Sequence, residues 1–170
     1  LRQTINNQVV VLPDGALVAS FTRFNMAPTR AAVLMAMRST DRGVTWSAPI
    51  VVAQVQSRGA TDPESGTSIR DGANLGSIAA GRNGRIAMVW QDSRFSGGQR
   101  DGIAYSQSTD GGLTWSTPVQ LNQAPAVQAF VPTVHIRDDG TIGITYYDLR
   151  NNTTAPTILA DYWLVQSADG

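Results

Sequence analysis

STDRGVTWSAP, at residues 39–49, recurs as STDGGLTWSTP at residues 108–118, which is 69 residues further along the chain. SADG, at residues 167–170, matches the opening of the same segment. We call the two complete copies repeat turn 1 (residues 39–49) and repeat turn 2 (residues 108–118). A segment that returns at such intervals is typical of repeat architectures, in which one small structural unit is used several times.

A second set of turn signals stays in register with the repeat turns. Gly15, Gly84 and Gly140 close Asp-Gly or Asn-Gly turns between apolar runs, which predicts three β-hairpins. The repeat-turn aspartate follows its hairpin glycine by 26 residues in the first two copies and by 29 in the third. The hairpin glycines and the repeat-turn aspartates thus recur together at similar spacing. This pattern predicts three structural units of the same kind.

Each unit contains short runs rich in Val, Ile, Thr and aromatic residues, without an apolar stripe of helical period. The predicted strands are 9–12, 16–21, 32–37 and 50–53 in the first unit, 78–80, 86–90, 103–107 and 119–121 in the second, and 133–136, 142–147 and 162–166 in the third. Four-stranded units of this length are typical of propeller blades. The sequence therefore predicts an all-β fold, a partial β-propeller of four-stranded antiparallel blades. We expect one domain over residues 1–170, with blades at about 8–53, 77–121 and 132–170, the last incomplete.

The repeat turns have a structural interpretation. Their Ser and Asp side chains can accept hydrogen bonds from turn amides, their second Gly allows a positive φ, and their Trp can pack between neighbouring blades. We therefore expect both tryptophans to be largely buried. The positions with predicted structural roles are Ser39, Asp41, Gly43, Thr45 and Trp46 in repeat turn 1, and Ser108, Asp110, Gly112, Thr114 and Trp115 in repeat turn 2.

Composition excludes several classes of function. The chain has no Cys and no Lys, so a disulfide framework, a P-loop and a Schiff-base lysine are all excluded. His135 is the only histidine, and no metal or other cofactor is predicted. The net charge is zero, which disfavours a nucleic-acid partner. No apolar run reaches the roughly 20 residues of a membrane span, and no signal-peptide pattern is visible.

The S-x-D-x-G-x-T-W pattern resembles the Asp box, or bacterial neuraminidase repeat, of sialidase-like β-propellers. VWQDSR at residues 89–94 and YYDLR at residues 146–150 strengthen this resemblance. It implies a six-bladed ring of which 170 residues form about half, a sialoside-like glycan ligand, and an extracellular or periplasmic location.

Sialidases combine an arginine triad, a Tyr–Glu pair and an Asp acid/base. The Arg-Ile-Pro motif that contains the first arginine of the sialidase triad is absent here, and Glu64 is the only glutamate. No residue of this sequence can therefore be matched by motif to a catalytic position of the family. Two hypotheses stay open. The chain is part of a glycan-recognising, exo-α-sialidase-type glycoside hydrolase with its catalytic groups in flanking blades, or it is a non-catalytic propeller that serves as a platform for protein interaction or assembly.

The propeller topology places candidate ligand-face loops opposite the repeat turns, at residues 22–30, 54–73, 91–100, 122–132 and 148–156. An Asp-x-Arg pair recurs in two of them, eight residues after each hairpin glycine. It indicates either a ligand-binding arginine or an ion pair that closes the loop. The long connection at 54–73 is either functional or a solvated, mobile loop. The candidate ligand-binding residues are Arg70, Arg94, Arg150, Asp92 and Asp148, and the candidates for acid/base catalysis are Asp62 and Asp71.

Incomplete closure is a further expectation, because repeat units bury their apolar faces only against neighbours. The third unit stops within its repeat turn, which predicts a piece of a longer chain. On its own the piece is expected to self-associate or to remain partly unfolded.

Overall fold

The computed structural model describes residues 3–25 and 31–168. Within these ranges the chain forms three antiparallel sheets and one short 3-10 turn, with no α-helix. Sheet 1 contains β1 (Gln3–Val11), β2 (Leu17–Phe24), β3 (Ala32–Ser39) and β4 (Ile50–Val55). Sheet 2 contains β5 (Ser77–Ala80), β6 (Ile86–Asp92), β7 (Gly102–Ser108) and β8 (Val119–Gln120), and sheet 3 contains β9 (Ala129–Ile136), β10 (Ile142–Asp148) and β11 (Asp161–Ser167). The described residues include no helix long and apolar enough to cross a bilayer.

The predicted fold class is confirmed: in each sheet consecutive strands pair in chain order, as blades do. Two first strands begin earlier than predicted, β1 at Gln3 and β9 at Ala129. Each contains an irregularity that breaks the sequence pattern, namely the positive φ of Asn6 (58°) in β1 and of Val131 (51°) in β9. The pairing register shifts at both places, so the alternation that marks a strand is interrupted there.

The three sheets stack side by side, with β1 next to β5 and β5 next to β9. Val18 of sheet 1 shares an apolar core with Met88 and Trp90 of sheet 2. A second core joins the opposite side of sheet 2 to sheet 3, for example through Val89 and Ile144. Sheet 2 therefore buries one face against sheet 1 and the other against sheet 3, as propeller blades do.

The strand ends define two faces of the molecule. The turn face carries the hairpin turns and both repeat turns, and a groove there is lined by Pro13, Asn83 and Asp110. The loop face carries residues 54–76, 93–101 and 121–128, which meet where β6 ends and β7 begins, at Asp92 and Asp101. Both repeat turns thus lie opposite the long connection, as predicted.

The repeat turns are closed by their own side chains. In repeat turn 1 the Ser39 hydroxyl accepts a hydrogen bond from the Gly43 amide at 2.8 Å, and Asp41 accepts bonds from the Thr45 amide and hydroxyl at 2.8 and 2.5 Å. The equivalent bonds in repeat turn 2 measure 2.8, 2.9 and 2.5 Å. These bonds lower the pKa of Asp41, the hydroxyl of Thr45 contributing most, to about 2. The Ser and Asp side chains of both repeat turns therefore hold the turn backbone closed.

The expected burial of both tryptophans is wrong. Trp115 is half-buried against the core between sheets 1 and 2, but Trp46 is 36% exposed. The Trp46 indole donates to the Gly43 carbonyl at 3.2 Å and borders an open groove with Phe21 and Met37. The difference follows from position, because sheet 1 covers repeat turn 2 whereas no sheet of the described residues covers repeat turn 1.

Stability should depend on the charge of the repeat-turn aspartates. The pKa of Asp110 falls from its usual 3.8 to about 2, chiefly through the hydroxyl and then the amide of Thr114. A depressed carboxyl pKa stabilises the fold above the unfolded-state value, and this stabilisation is lost as the pH falls through the folded-state value. Loss of a side chain that caps turn amides costs about 1–2 kcal/mol, so Asp110→Ala should lower the free energy of unfolding by about that amount at pH 7. The deficit should shrink between pH 4 and pH 2, where the Asp110 carboxylate becomes protonated. Chemical denaturation at several pH values measures this. A deficit equal at all pH values, or equalled by exposed Asp138→Ala, would refute it.

The two repeat turns offer a matched test of backbone strain. Gly111 and Arg42 occupy the same position, at φ values of 74° and 61°. A side chain at a positive φ costs about 1–2 kcal/mol, and Arg42 already carries that cost. A Cβ on Gly111 would also lie 2.7 Å from Nη1 of Arg38. Gly111→Ala should lower the melting temperature measurably, whereas Arg42→Ala should leave it nearly unchanged. Equal effects of the two substitutions in thermal melts would contradict this account.

Candidate functional site

Gln91 is the centre of a buried polar network on the loop face. Its side chain is fully buried, and its Oε1 accepts hydrogen bonds from the amides of Gly72 (3.2 Å) and Val131 (3.1 Å). Its Nε2 donates to Oδ2 of Asp71 (3.0 Å) and of Asp101 (3.3 Å). All hydrogen-bonding positions of the amide are therefore used. Gln91 thereby joins β6 to the long connection and to β9.

Asp101, the residue just before β7, is a fully buried carboxylate that forms no ion pair with any described residue. It accepts hydrogen bonds from the Ser57 hydroxyl and from the amides of Arg58 (2.9 Å) and Gly59 (3.0 Å). Successive backbone amides that converge on one anion form a nest, and the φ of +82° at Gly59 shapes it. This carboxylate fixes the backbone beneath the Arg58 side chain.

The remainder of the long connection is tied down in the same way. Asp71 accepts hydrogen bonds from the amides of Ala60 (2.5 Å) and Ala73 (3.1 Å). The Gln128 side chain pairs with both backbone groups of Thr61, at 3.0 and 2.8 Å, as a neighbouring strand would. The two ends of the connection are therefore bonded to sheet 2 and to the loop that leads into sheet 3, whereas residues 63–68 between them are exposed to solvent.

A cleft of about 650 Å³ opens above this network. Its polar lining includes Arg58, Arg100 and Gln99, and its apolar wall includes Val127 and Leu149. No carboxylate lines it. Arg58 uses Nη1 for the Gly98 carbonyl (2.9 Å), and Arg100 uses Nε for the Pro125 carbonyl (3.4 Å). The remaining guanidinium N–H groups can donate to a bound carboxylate or hydroxyl.

The first predicted Asp-x-Arg pair closes the loop after β6. Arg94 donates Nε and Nη2 to the two oxygens of Asp92, at 2.8 and 2.7 Å, and also bonds the Gln54 carbonyl. Asp92 is fully buried and also accepts a hydrogen bond from the Trp90 indole at 2.8 Å. The loop-closing interpretation describes this geometry, and a ligand-binding role for Asp92 and Arg94 stays a prediction.

The second pair has the same form with a different tryptophan. Arg150 donates to Oδ2 of buried Asp148 through Nε (2.9 Å) and Nη2 (2.6 Å), and the Trp163 indole donates to Oδ1 at 2.9 Å. The guanidinium lies 3.6 Å from the centre of the Trp163 ring. Hydrogen bonding to Asp148 raises the pKa of Arg150. A ligand role for Asp148 and Arg150 likewise stays a prediction.

Other predicted site residues lie apart from the cleft lining. Asp62 caps a turn through the Ser65 hydroxyl (2.5 Å) and the Glu64 amide (3.1 Å), and these bonds, the hydroxyl first, lower the pKa of Asp62. A proton donor at neutral pH needs a raised pKa, so this environment disfavours Asp62 as an acid. Arg70 is exposed, and its side chain forms no hydrogen bond or ion pair with the described residues. No cluster of three or more metal-binding side chains occurs among those residues either.

Sequence reasoning missed Gln91, Asp101 and Arg100. Gln91 interrupts a buried run, IAMVWQD, in which every residue of β6 is buried. A lone amide in such a run signals a group that must find partners inside the protein. Asp101 gave no comparable signal, because its partners in the long connection lie more than 40 residues away in the chain.

Solved structures with a similar fold include three enzymes. An α-L-arabinanase of Penicillium chrysogenum, complexed with arabinobiose, has a TM-score of 0.62 and 16% identity over 96% of this chain and 46% of its own. A Hadza microbial sialidase has a TM-score of 0.62 and 16% identity over 98% and 35%. An α-L-arabinofuranosidase of Fusarium graminearum has a TM-score of 0.60 and 17% identity over 96% and 46%.

These comparisons establish the fold, which is a partial β-propeller. The chain spans less than half the length of each of these three structures. No protein-family model and no curated protein matches the sequence. The number of blades in the ring stays a prediction.

Removing the Gln91 amide should loosen the long connection. Gln91→Leu keeps the bulk of the side chain but leaves two carboxylates and two amides without this partner. The free energy of unfolding should fall by about 2 kcal/mol or more, because buried polar groups left unsatisfied cost about 1–3 kcal/mol each. Proteolytic nicking within residues 54–73 should also increase. Gln54→Leu, at an exposed position on β4, is the control. Unchanged stability and proteolysis in Gln91→Leu would show that the network does not hold the connection.

Proposed function

We propose that this chain is the carbohydrate-recognising part of a propeller protein, with its ligand in the cleft lined by Arg58 and Arg100. The observation that carries the proposal is the cleft itself. It places two guanidinium groups, without a competing carboxylate, on a loop face that is fastened by a buried network. Hydrogen-bond donors that the fold already holds in place lose little conformational entropy when a ligand binds. Such preorganisation favours affinity.

The chemistry of the cleft suits a sugar. Gln99, Gln128 and Thr61 supply neutral hydrogen-bonding groups, and Val127 and Leu149 supply apolar surface for the C–H face of a sugar ring. A volume of about 650 Å³ lies within the range of small-molecule sites, roughly 300–1,000 Å³. The similar propellers described above include an arabinanase, an arabinofuranosidase and a sialidase, which supports a glycan ligand.

A sialidase-like assignment is the more specific form of the proposal. The side-chain closure of both repeat turns supports their identification as Asp boxes. Arginine recognises carboxylates through parallel hydrogen bonds, so an acidic, sialoside-like sugar is the favoured ligand. Such a protein would act outside the cytoplasm, in the extracellular or periplasmic space.

A second candidate function is a non-catalytic platform that binds glycans or proteins. It is favoured by the state of the loop-face carboxylates, since Asp71, Asp92, Asp101 and Asp148 are all occupied by donors of the chain itself. Asp71 stays the acid/base candidate, although both its oxygens already accept hydrogen bonds. Release of 4-methylumbelliferone from its sialoside, abolished by Asp71→Asn, would establish catalysis by this chain, and no release would favour the platform.

The cleft arginines should determine affinity for acidic sugars. Isothermal titration with 3′-sialyllactose and with lactose separates the carboxylate contribution from that of the neutral sugar. Arg58→Ala and Arg100→Ala should each weaken 3′-sialyllactose binding by about tenfold or more, because a hydrogen bond to a charged group contributes about 1.5–3 kcal/mol. The effect on lactose should be smaller.

Arg82→Ala is the matched control, since Arg82 is exposed on the turn face and pairs with Asp138. It should leave the affinity unchanged. Equal binding by the Arg58 and Arg100 variants and the unmodified protein would place the ligand elsewhere. Failure of the folded protein to bind 3′-sialyllactose, arabinobiose or a galacturonate trimer would refute glycan recognition.

A further inference from the structure

The two cleft arginines carry positive charges that no carboxylate of the described residues neutralises. Neither Arg58 nor Arg100 forms an ion pair within residues 3–25 and 31–168, and no carboxylate lines the cleft. Arg94 and Arg150, on the same face of the molecule, are each paired with an aspartate. The cleft is therefore a part of the loop face where guanidinium groups stay available to an anion from outside the chain.

Each cleft guanidinium group is anchored to a different loop and keeps one edge for a ligand. Arg58 donates Nη1 to the Gly98 carbonyl at 2.9 Å, which leaves its Nε–Nη2 edge without a partner among the described residues. Arg100 donates Nε to the Pro125 carbonyl at 3.4 Å, which leaves its Nη1–Nη2 edge in the same state. One such edge binds one carboxylate through two parallel hydrogen bonds. The cleft therefore offers two binding edges for acidic groups.

The backbone at both arginines is also held in place. The amides of Arg58 and Gly59 donate to Asp101. The Ser96 hydroxyl accepts a hydrogen bond from the Arg100 amide at 2.9 Å and donates one to the Arg100 carbonyl at 2.7 Å. Each arginine is thus held at its backbone and at its guanidinium group, which favours one acidic group per arginine over a single group shared by two.

The other polar groups of the cleft favour an acidic ligand over a neutral one. The hydroxyls of a neutral sugar donate hydrogen bonds as well as accept them, so they need acceptors in the site. The side-chain acceptors of the lining belong to Thr61, Gln99 and Gln128. The Gln128 oxygen already accepts a hydrogen bond from the Thr61 amide at 3.0 Å. Side-chain donors therefore outnumber acceptors in the cleft, and an ionised carboxylate supplies acceptors only.

We propose that the ligand of this cleft is an oligosaccharide with two acidic groups, one bound by Arg58 and the other by Arg100. The cleft volume of about 650 Å³ suits a ligand of drug size, which is the size of a disaccharide. This inference rests on the proposed function, because it specifies the ligand of the same cleft. It goes further in requiring a second acid, which a glycan with a single acidic sugar does not have.

Isothermal titration with two pairs of ligands measures the contribution of the second acid. Digalacturonate is compared with the same disaccharide in which one carboxylate is methyl-esterified, and disialyllactose is compared with 3′-sialyllactose. In at least one pair the second acid should improve the affinity by about tenfold or more, because hydrogen bonds to a charged group are strong. The two pairs distinguish a uronate ligand from a sialate ligand. This comparison uses the unmodified protein, so it does not depend on the folding of any variant.

Arg58→Ala and Arg100→Ala test whether the two acids have separate binding edges. In each variant the ratio of the two affinities should fall to about one, because one guanidinium group is left for one acid. Arg42→Ala is the matched control, since it removes an exposed arginine that forms no ion pair with the described residues, on the turn face. It should leave the ratio unchanged. Circular dichroism reports whether each variant is folded.

Three results would overturn this inference. The first is a ratio near one for both pairs in the unmodified protein while the single-acid ligands still bind, which would leave the proposed function intact. The second is a large ratio that survives in either folded variant, since the second acid would then lie elsewhere. The third is the absence of binding by all four ligands, which would overturn this inference together with the acidic-sugar form of the proposed function.

Discussion

The loop face depends on one buried amide. Gln91 is placed inside the protein by β6, and a buried amide must have all of its hydrogen bonds satisfied. Its partners come from the long connection, from β7 and from β9. The side chain therefore fixes the relative positions of three segments that are far apart in the chain. The cleft, with Arg58 above the nest around Asp101, is a consequence of that arrangement.

The turn face is built in the opposite way, from contacts within a few residues. Each repeat turn closes on its own Ser, Asp and Thr side chains, and the two copies are nearly identical in geometry. Because each repeat turn is closed by its own side chains, it does not depend on contacts with another sheet. The same turn can therefore form with Arg42 in one copy and with Gly111 at the equivalent position in the other. The turn face is thus nearly the same in each sheet, whereas the loops of the loop face differ from one sheet to the next. Variable loops on a rigid scaffold are where binding sites commonly occur.

The contrast between local contacts on the turn face and long-range contacts on the loop face also explains which features could be predicted from the sequence. The strands, the hairpin turns and the roles of Asp41 and Asp110 follow from local patterns and were predicted. The exposure of Trp46 was not, because it depends on whether another sheet lies alongside. The network around Gln91 and Asp101 was not either, since its hydrogen bonds join residues as far apart as residues 58 and 101. The Asp-x-Arg pairs were recognised in the sequence, but the sequence left open whether the arginine binds a ligand or closes its loop.

Hydrogen exchange at single amides tests the central claim most directly. The account predicts that the amides of Arg58, Gly59 and Ala60, which donate to the carboxylates of Asp101 and Asp71, exchange as slowly as amides within the β6–β7 ladder. Asp101→Asn should accelerate the first two much more than the ladder, because it weakens the acceptor that holds them. Exchange of these loop amides in the unmodified protein at the rate of an open chain, with a protected ladder, would contradict the account.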